Sequence, residues 1–569
     1  MYPAWTVRAC STASGPQSLC RATSNAGLAG TEGAGHRFMY HRRAVSELNT
    51  GAACVPMDLV RTGPPRRRAG RVDVFSSRER SRLAHGLLVA VSVAYLVVIM
   101  VRTSQSMGPT WDEVIYLSQV VRDVPAAAFS APRSRGMPWM LAPVAAFTSE
   151  MFPIRVYIGL VSGLLMYLAF RPWLAMLQAK RTISIFVSPL AAGLFATLWM
   201  TLLYGTMGYP NLWLGFVLTS AIGYYCLAMQ QGHASLPIAA AITTAFAVAS
   251  LLRPVDALAA ASPLLLASVI IRDWRLPVPA AGVIGGLATG WGAWIAEAFV
   301  RFDGPLQRLR QGAEVNEGGV TWSLPKYLES LDGPYLLCRP PDLCAGVSIE
   351  SSLWWLALPL LTVIGILASR RDGWLKPASI AVCCALSIAL PYFLLFDYAA
   401  PRFLLPTYAL LALPAAAALL WIAMRSTWPV RVIAAAAVAA AIVGHGWIQM
   451  TILEDAHAVV VQAASKHSAQ ASYIQDEYGI EAPCLIVGEG AIQQSYLLGC
   501  QSLYAPSAAV GDQRAAIMEA LEQGHDVVVR MRAADTPPAF IAQWQRIALP
   551  HTDNHVAYIR ISKSAVTDL

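Results

Sequence analysis

An adjacent pair of acids lies in the segment "GPTWDEVIYLSQ", a few residues after a long apolar run. Asp112 and Glu113 are followed by Tyr116, and the next polar stretch, "APRSRGMPW", supplies Arg133 and Arg135. A carboxylate beside a hydroxyl group can act as a general base and contributes roughly 10²–10⁴ in rate. Arginines bind phosphate oxygens bidentately and stabilise charge that develops on them. These residue types predict the transfer of a group from a phosphate-containing donor.

Two further arginines stand at the ends of predicted membrane helices. Arg253 and Asp256 lie in "LLRPVDAL", and Asp397 and Arg402 lie in "FDYAAPRFLLP". The simpler interpretation is that such residues anchor helix ends by snorkelling, and that Asp112 faces water in a loop. Ionisable groups near membrane depth are costly, however, so several at one level indicate a shared site. We therefore predict that these arginines lie beside the acid pair.

The composition identifies the elements that must position these residues. The chain has 569 residues, a mean hydropathy of +0.49 and 13% charged residues, whereas soluble proteins average about 25% charged. Apolar stretches long enough to cross a bilayer recur along it. The sequence predicts an α-helical polytopic membrane protein of about eleven spans, at roughly 84–102, 154–170, 184–203, 211–230, 236–252, 255–271, 278–299, 352–369, 377–397, 403–424 and 430–449.

The charges predict the topology of the transmembrane domain, 84–450. Short loops rich in Arg and Lys fall on the side of the N-terminus, as expected for cytoplasmic loops, which places loops 103–153 and 300–351 outside. Residues 1–83 hold thirteen arginines and are predicted to be a basic, disordered cytoplasmic leader rather than a nucleic-acid-binding segment. The start of this leader is alternatively an over-extended gene start, with Met57 the true initiator. We expect a multi-pass protein of the plasma membrane.

An odd number of spans sends residues 451–569 outside. This region opens with a polar helical stretch and then alternates "CLIVGEG", "DVVVRM" and "HVAYIRI", which are typical of strands, with "AAIMEALEQG" and "PPAFIAQWQRI", which are typical of helices. Such alternation predicts a small extracytoplasmic α/β domain. It is a candidate for binding a glycan or a protein partner.

Four cysteines fall in the regions predicted to lie outside. Cys338 and Cys344 are in the large outer loop, and Cys484 and Cys500 are in the C-terminal domain. Disulfides form in oxidising compartments, so each pair is a disulfide candidate.

The arrangement resembles a known family. A first span, an outer loop with adjacent Asp-Glu and a nearby Tyr, and an Arg-Gly-x-Pro stretch ("RGMP") leading to the next span are similar to the GT-C type membrane glycosyltransferases. The resemblance is to the group of protein O-mannosyltransferases and lipid A aminoarabinose transferases. The segment "PRFLLPTYALLALPAA", 401–416, resembles their late "R-[FY]-L-L-P" helix. The match is best over 84–175 and extends to about 424, so it implies a GT-C-like transmembrane domain.

The resemblance implies an inverting transfer of a sugar from a polyprenyl-phosphate donor to a hydroxyl acceptor on the outer face. Asp112 matches the family's catalytic base, Glu113 supports the loop or the acceptor side, and Tyr116 matches the motif's aromatic residue. Arg135 falls where the family places groups that contact phosphate or acceptor, and Arg402 is a candidate contact to the donor phosphate. The acceptor is a glycan, a lipid or a protein hydroxyl, with membrane lipid as a further partner and no nucleic acid.

The chain departs from this family at one motif. The lipid A group has a Glu-Lys-Pro element where this chain has "RGMP". We therefore expect Arg133, Arg135 and Arg402 to bind the donor phosphate, with Arg253 nearby. No Asp-x-Asp motif is present, so a divalent metal is compatible with the pattern but not indicated by it, and no cofactor is assigned.

Two other classes of function compete with a transferase. Charged residues at a helix break such as Arg253-Pro254 are also found on the path of a transporter or flippase of a lipid-linked or small polar substrate. Against this, the eleven spans show no obvious duplication, and the acids cluster in a loop. A membrane scaffold whose outer domain binds a partner is the third class.

Overall fold

A computed structural model describes residues 76–103, 107–178, 180, 184–344, 346–424, 427–552 and 554–562. Most of the predicted leader lies outside these residues. Its last part is helical rather than disordered, because the first helix begins at Ser77. Ser76 and Glu79 form a reciprocal capping box there, in which Glu79 Oε2 accepts from the Ser76 backbone at 2.7 Å. Such a box satisfies amides that the first turn leaves without partners, so the boundary predicted at residue 83 falls inside the helix.

Sixteen helices form the larger part of the described chain. They are α1 (Ser77–Arg102), α2 (Trp111–Leu117), α3 (Gly136–Ala145), α4 (Met151–Leu177), α5 (Val187–Ala196), α6 (Trp199–Leu203), α7 (Pro210–Gln231), α8 (Leu236–Leu252), α9 (Pro254–Ile270), α10 (Pro277–Arg301), α11 (Pro305–Val315), α12 (Leu324–Glu329), α13 (Ile349–Asp372), α14 (Leu375–Leu394), α15 (Leu405–Met424) and α16 (Trp428–Tyr478).

The predicted spans correspond to these helices. In the described part of the chain, eight helices are long and apolar enough to cross a membrane, and a ninth span is added if a pair of helices bent by 78° is counted as one. That pair contains α5 and α6, and it takes the place of the predicted straight span 184–203. Helices α8 and α9 have 17 residues each, at the lower limit for spanning. The chain is a multi-pass helical membrane protein.

Burial divides the spans into central and peripheral ones. Helices α7 and α15 are enclosed by protein over most of their length, as expected for helices that are apolar on every side. Helix α13 instead leaves a stripe of large apolar side chains exposed, with Leu353, Leu356, Leu360 and Leu367 on one face. Such a stripe suits contact with lipid. Helices α7 and α15 therefore form the core of the bundle.

The break at Arg253-Pro254 is a reversal between two helices. Gly282, Gly286 and Gly290 of α10 lie against α8, and a Cβ atom at Gly290 would come within 2.3 Å of the Ser250 backbone. Small residues at this spacing let helices approach closely in membranes. Successive glycines of α10 contact successive turns of α8, so the two helices run parallel. Helix α9, which follows α8 and precedes α10 in the chain, runs in the opposite direction. Arg253 is left at the end of the hairpin.

The helices between α1 and α4 are short. Helix α3 occupies the predicted apolar segment after "RGMP" and packs against α2, α4 and α8. Residues 113–117 of helix α2 are buried, because α3 and a helix of the C-terminal domain pack against it and Arg155 of α4 binds Glu113.

The C-terminal region is a five-stranded mixed sheet with two helices. Its strands are β1 (Cys484–Gly488), β2 (Gln501–Leu503), β3 (Asp526–Arg532), β4 (Gln545–Ala548) and β5 (His555–Arg560), in the order β2-β1-β3-β5-β4. Strand β1 is parallel to β2 and β3, whereas β5 is antiparallel to β3 and β4. The helices are α17 (Ala491–Leu498) and α18 (Arg514–Glu522).

Most elements predicted for this region are confirmed, with one error. The three predicted strands are β1, β3 and β5, and "AAIMEALEQG" contains α18. The segment "PPAFIAQWQRI" was expected to be a helix but forms turns followed by β4, because its end pairs with the neighbouring β5. Helix α16 runs without a break from the membrane bundle to the sheet, so no linker separates the two regions at the predicted boundary of 450–451.

Both candidate cysteine pairs are joined in the structure. Cys338 bonds to Cys344 with Cα atoms 5.4 Å apart, and Cys484 bonds to Cys500 with Cα atoms 4.8 Å apart. The first bridge closes a short turn in the segment between α12 and α13, and the second ties β1 to the segment that precedes β2.

Candidate active site

The acid pair lies in the first turn of α2, where its two members face different surroundings. Glu113 points into the protein and is fully buried, whereas the Asp112 side chain is 23% exposed. Consecutive helical residues are rotated by about 100° about the axis, so one residue of the pair can bind inward while the other faces a cavity.

Glu113 is held by a complete set of donors. Its Oε1 accepts from Arg155 Nη1 at 2.7 Å and from the Gly208 amide at 2.7 Å. Its Oε2 accepts from Arg155 Nη2 at 2.9 Å and from Thr110 Oγ1 at 2.6 Å. Arg155 in turn donates to the backbone oxygens of residues 107, 108 and 206. Glu113 therefore joins α2 to α4 and to the start of α7.

Asp112 accepts from two arginines, one at each carboxylate oxygen. Arg133 Nη2 lies 2.5 Å from Oδ1, and Arg402 Nη2 lies 3.2 Å from Oδ2. Burial by itself would raise the pKa of Asp112, but the positive charges of Arg133 and Arg402 outweigh it and hold the pKa below its usual value. The carboxylate is therefore ionised at neutral pH. Burial raises the pKa of the neighbouring Tyr116, so its phenol stays protonated.

Arg133 is positioned by a buried network behind it. Arg308 is fully buried and donates to the backbone oxygens of Ala131 and Arg133 at 3.1 and 2.8 Å. The same guanidinium pairs with Glu297 at 2.9 Å, and Glu297 also pairs with Arg135 at 2.6 Å. The network fixes the loop that carries Arg133, so this guanidinium is held beside Asp112.

The glycine of "RGMP" brings this loop to the end of α8. A Cβ atom at Gly136 would lie 2.4 Å from the Leu251 carbonyl, so only glycine allows this approach. Two residues further along, Arg253 donates to Asp256 at 2.6 Å and to the Tyr392 hydroxyl at 2.7 Å. The approach of α3 to α8 thus places the first outer loop beside Arg253.

Asp112 and the arginines closest to it line one cavity of about 510 Å³. Its lining includes a single carboxylate, Asp112, and four arginines, Arg133, Arg253, Arg339 and Arg402, counted over the described residues. The rest of the lining is aromatic, aliphatic or uncharged polar. The cavity therefore carries an excess of positive charge around one ionised carboxylate, an arrangement suited to an anion beside a group that loses a proton.

The structure brings most of the predicted site residues together. Asp112, Tyr116, Arg133, Arg253 and Arg402 all line the cavity.

Glu113 and Arg135 lie outside this lining. Arg135 donates to Gln119 at 2.7 Å and stacks over Phe129 at 3.9 Å from the ring centroid, so it braces the loop. The two arginines of "RSR" thus have different surroundings, because the chain turns between them into α3.

Sequence reasoning missed three arginines. Arg155 carried a signal, because a lone charge beside an apolar span is rarely without a partner. Arg308 and Arg339 lie in a polar loop, where arginines are common, so nothing in the sequence indicated a special role for them. Arg339 lines the cavity and pairs with Glu317 at 2.7 Å. Within the described ranges, no group of three or more His, Cys, Asp or Glu side chains is arranged to hold a metal ion.

The fold is shared with a solved transferase. ArnT from Cupriavidus metallidurans, a lipid A aminoarabinose transferase, was solved bound to undecaprenyl phosphate. It matches with a TM-score of 0.56 at 14% identity, over 83% of this chain and 98% of that chain. Its apo state matches with a TM-score of 0.57 at 13% identity, over 84% and 99%. No family model matches the sequence, and neither does any curated protein. The chain has the GT-C fold.

Proposed function

We propose that the protein is an inverting glycosyltransferase. It moves a sugar from a polyprenyl-phosphate donor to a hydroxyl acceptor on the outer face of the plasma membrane. The observation that carries the proposal is Asp112, an ionised carboxylate with one arginine at each oxygen, in a cavity with an excess of positive charge. The shared fold supports it, because the matching ArnT structure binds undecaprenyl phosphate.

In the proposed reaction Asp112 accepts the proton of the acceptor hydroxyl. The acceptor oxygen forms a bond to the anomeric carbon as the bond from that carbon to the phosphate oxygen breaks. The electron pair leaves with the polyprenyl phosphate, which gains negative charge. Arg133 and Arg402 are placed to stabilise that charge.

The same arginines tune the base. Without donor they pair with Asp112 and lower its pKa. A donor phosphate would share their charge, and the pKa of Asp112 would then rise toward its ordinary value. The carboxylate thus becomes a stronger base only when the donor is in place.

The route of the donor's lipid chain follows two helices. Arg402 lies in the 3₁₀ turn just before α15, and α16 also lines the cavity around Asp112. Deeper in the bundle, α15 and α16 both line a second, mostly apolar cavity of about 450 Å³. A phosphate at Arg402 with its chain along these helices would keep the hydrocarbon in apolar surroundings.

The proposal is tested by replacing the base. Full-length protein in lipid nanodiscs would be given undecaprenyl phosphate carrying a radiolabelled sugar together with hydroxyl acceptors, an octyl glycoside and a Ser/Thr peptide, and transfer of the label from the lipid to an acceptor would be followed. Asp112→Asn is expected to lower kcat by roughly 10²–10⁴. Asp123→Asn, an exposed acid of the same outer loop, is the matched control and should behave as wild type.

Two results would contradict the proposal. Full activity of a correctly inserted Asp112→Asn protein would remove the base. Passage of the labelled donor across a proteoliposome membrane without cleavage would instead favour a flippase.

A further inference from the structure

Three buried polar atoms on side chains that line the cavity have no hydrogen-bond partner among the described residues, and the proposed chemistry uses none of them. They are Oε1 of Gln493, Nδ1 of His467 and Nδ2 of Asn211. Native proteins pair more than 90% of their buried polar groups, so three unpaired atoms in one cavity point to a ligand. Asn211 is on α7, whereas His467 is on α16 and Gln493, of which only 9% is exposed, is on α17.

The Gln493 and His467 atoms belong to a wall of distinct chemistry. We call it the α16 wall, formed by Val459, Val460, Ala463, Ala464 and His467 of α16 together with Gln493. It contains no carboxylate, lysine or arginine, whereas the other sides of the cavity supply four arginines and Asp112. Small and aliphatic residues make the wall mostly apolar, with two polar side chains, which is the usual composition of a small-molecule site.

The α16 wall also stands next to the base. Helix α17 packs against both α2 and α16. The ring of Trp111, which precedes Asp112, lies edge-on to Tyr504 of the C-terminal domain at 4.8 Å. The hydroxyl of Tyr496 donates to the Ser149 carbonyl at 2.8 Å. The C-terminal domain is therefore held against the loop that carries Asp112.

Hydrogen-bonding capacity identifies the ligand class. Gln493 Oε1 can only accept, and His467 Nδ1 accepts or donates according to its tautomer. A hydroxyl group both donates and accepts, so it can satisfy either atom. A fully deprotonated phosphate or a carboxylate can only accept, so it cannot satisfy Gln493 Oε1.

We propose, resting on the transferase function above, that the α16 wall is the acceptor subsite and takes an uncharged, hydroxyl-rich glycan. The α16 wall, Asp112 and the arginines proposed to bind the leaving phosphate line the same cavity, so an acceptor on the wall would share the cavity with the base and the donor.

The first test compares acceptors with wild-type protein in phospholipid nanodiscs, since sugar-headed detergents would compete. Undecaprenyl phosphate carrying radiolabelled mannose, glucose or arabinose is the donor. The acceptors are an octyl glycoside, the same glycoside bearing a 6-phosphate, and a Ser/Thr peptide. The neutral glycoside should be used at least roughly tenfold better in kcat/KM than the other two. Preference for the phosphorylated glycoside or the peptide would overturn the inference.

The second test separates the subsite from a structural role. Gln493→Met and His467→Phe should each raise the acceptor KM roughly fivefold to tenfold, the loss expected for one neutral hydrogen bond, and leave the donor KM within about twofold. Gln462→Met, at an exposed position of α16 outside the wall, is the control. Unchanged acceptor KM in both variants, or an equal rise in donor KM, would contradict the acceptor subsite.

The two proposals fail in different ways. If donor cleavage depends on Asp112 but not on the α16 wall, the acceptor inference alone is wrong. If Asp112→Asn cleaves the donor as well as wild type, or if wild type cleaves none of the donors, the proposed function is wrong and the acceptor inference falls with it.

Discussion

Asp112 and Glu113 are joined by one peptide bond, yet they lie in two different kinds of ion-pair region. Glu113 is fully buried, and each of its oxygens accepts at least two hydrogen bonds. Asp112 lies in an open cavity where four arginines outnumber it. The first region is electrostatically complete and can only hold the fold together. The second keeps cationic capacity for a further anion.

The difference shows what distinguishes the structural pair from the one that we propose takes part in the reaction. Both acids contact arginine, so a salt bridge alone does not separate them. The separating properties are the balance of charge and access to a cavity. Arg155 also donates hydrogen bonds to three backbone carbonyls. Arg402 faces a space large enough for a substrate.

The largest expected effect on stability comes from the buried pair of Glu113 and Arg155. Glu113→Gln leaves the Arg155 charge buried without a counter-charge, and breaking a buried pair costs roughly 3–5 kcal/mol. We expect a clear fall in the thermal unfolding midpoint in nanodiscs, whereas Asp112→Asn should change it little. The double variant Glu113→Leu with Arg155→Met is the control and should recover part of the loss. If Asp112→Asn destabilised the protein more than Glu113→Gln, the comparison would be reversed.

The next effect concerns Arg133 and Arg402, the two arginines that contact Asp112 in the cavity. Arg402→Gln and Arg133→Gln should each lower kcat/KM roughly tenfold to a hundredfold, because a hydrogen bond to a charged group is worth about 1.5–3 kcal/mol. Arg402→Lys should recover only part, since lysine lacks the bidentate fork. Arg122→Gln, an exposed site in the same outer loop as Arg133, should leave the rate unchanged. Equal activity of all four variants would show that neither cavity arginine binds the donor.

The pH dependence gives a smaller but sharper signal. The pKa of Asp112 is lowered in the unliganded cavity, so the base stays ionised as the pH falls through the ordinary range of an aspartate. The acid limb of kcat/KM reports the free enzyme and should lie below that range. Arg402→Gln removes a nearby positive charge, so the pKa should rise and the limb should move to higher pH. A limb that stays in place would argue against Asp112 as the titrating group.

The smallest expected effect comes from the Cys338–Cys344 disulfide. Cys338 lies two residues after Leu336, whose carbonyl accepts from Arg402 Nη1 at 3.1 Å. Replacing Cys338 and Cys344 by serine should free this loop and lower kcat/KM by less than roughly tenfold, because the Asp112 contact to Arg402 is kept. Cys383→Ser, at an exposed unpaired thiol, is the control. A loss as large as that of Arg402→Gln would give the loop a greater role than positioning.

Some of the structure was accessible from local sequence. The spans were predictable because a bilayer demands a fixed length of apolar residues, and ten of the eleven correspond to separate helices. The bend between α5 and α6 was not predictable, because the sequence is largely apolar on both sides of it. The end of "PPAFIAQWQRI" was mistaken for helix, since pairing with β5 overrides a local preference. The burial of residues 113–117 in α2 likewise depends on packing by distant helices.

By itself the sequence determined that acids and arginines would meet at one side of a helical bundle. Apolar length sets each crossing, and each crossing sets the side on which the next loop lies. Only the tertiary structure decided which groups touch. Arg133 faces Asp112 while Arg135, two residues on, pairs with Glu297. Glu113 finds Arg155, 42 residues away. Contacts between distant segments depend on helix packing and on the approach that Gly136 permits, and neither is written in local composition.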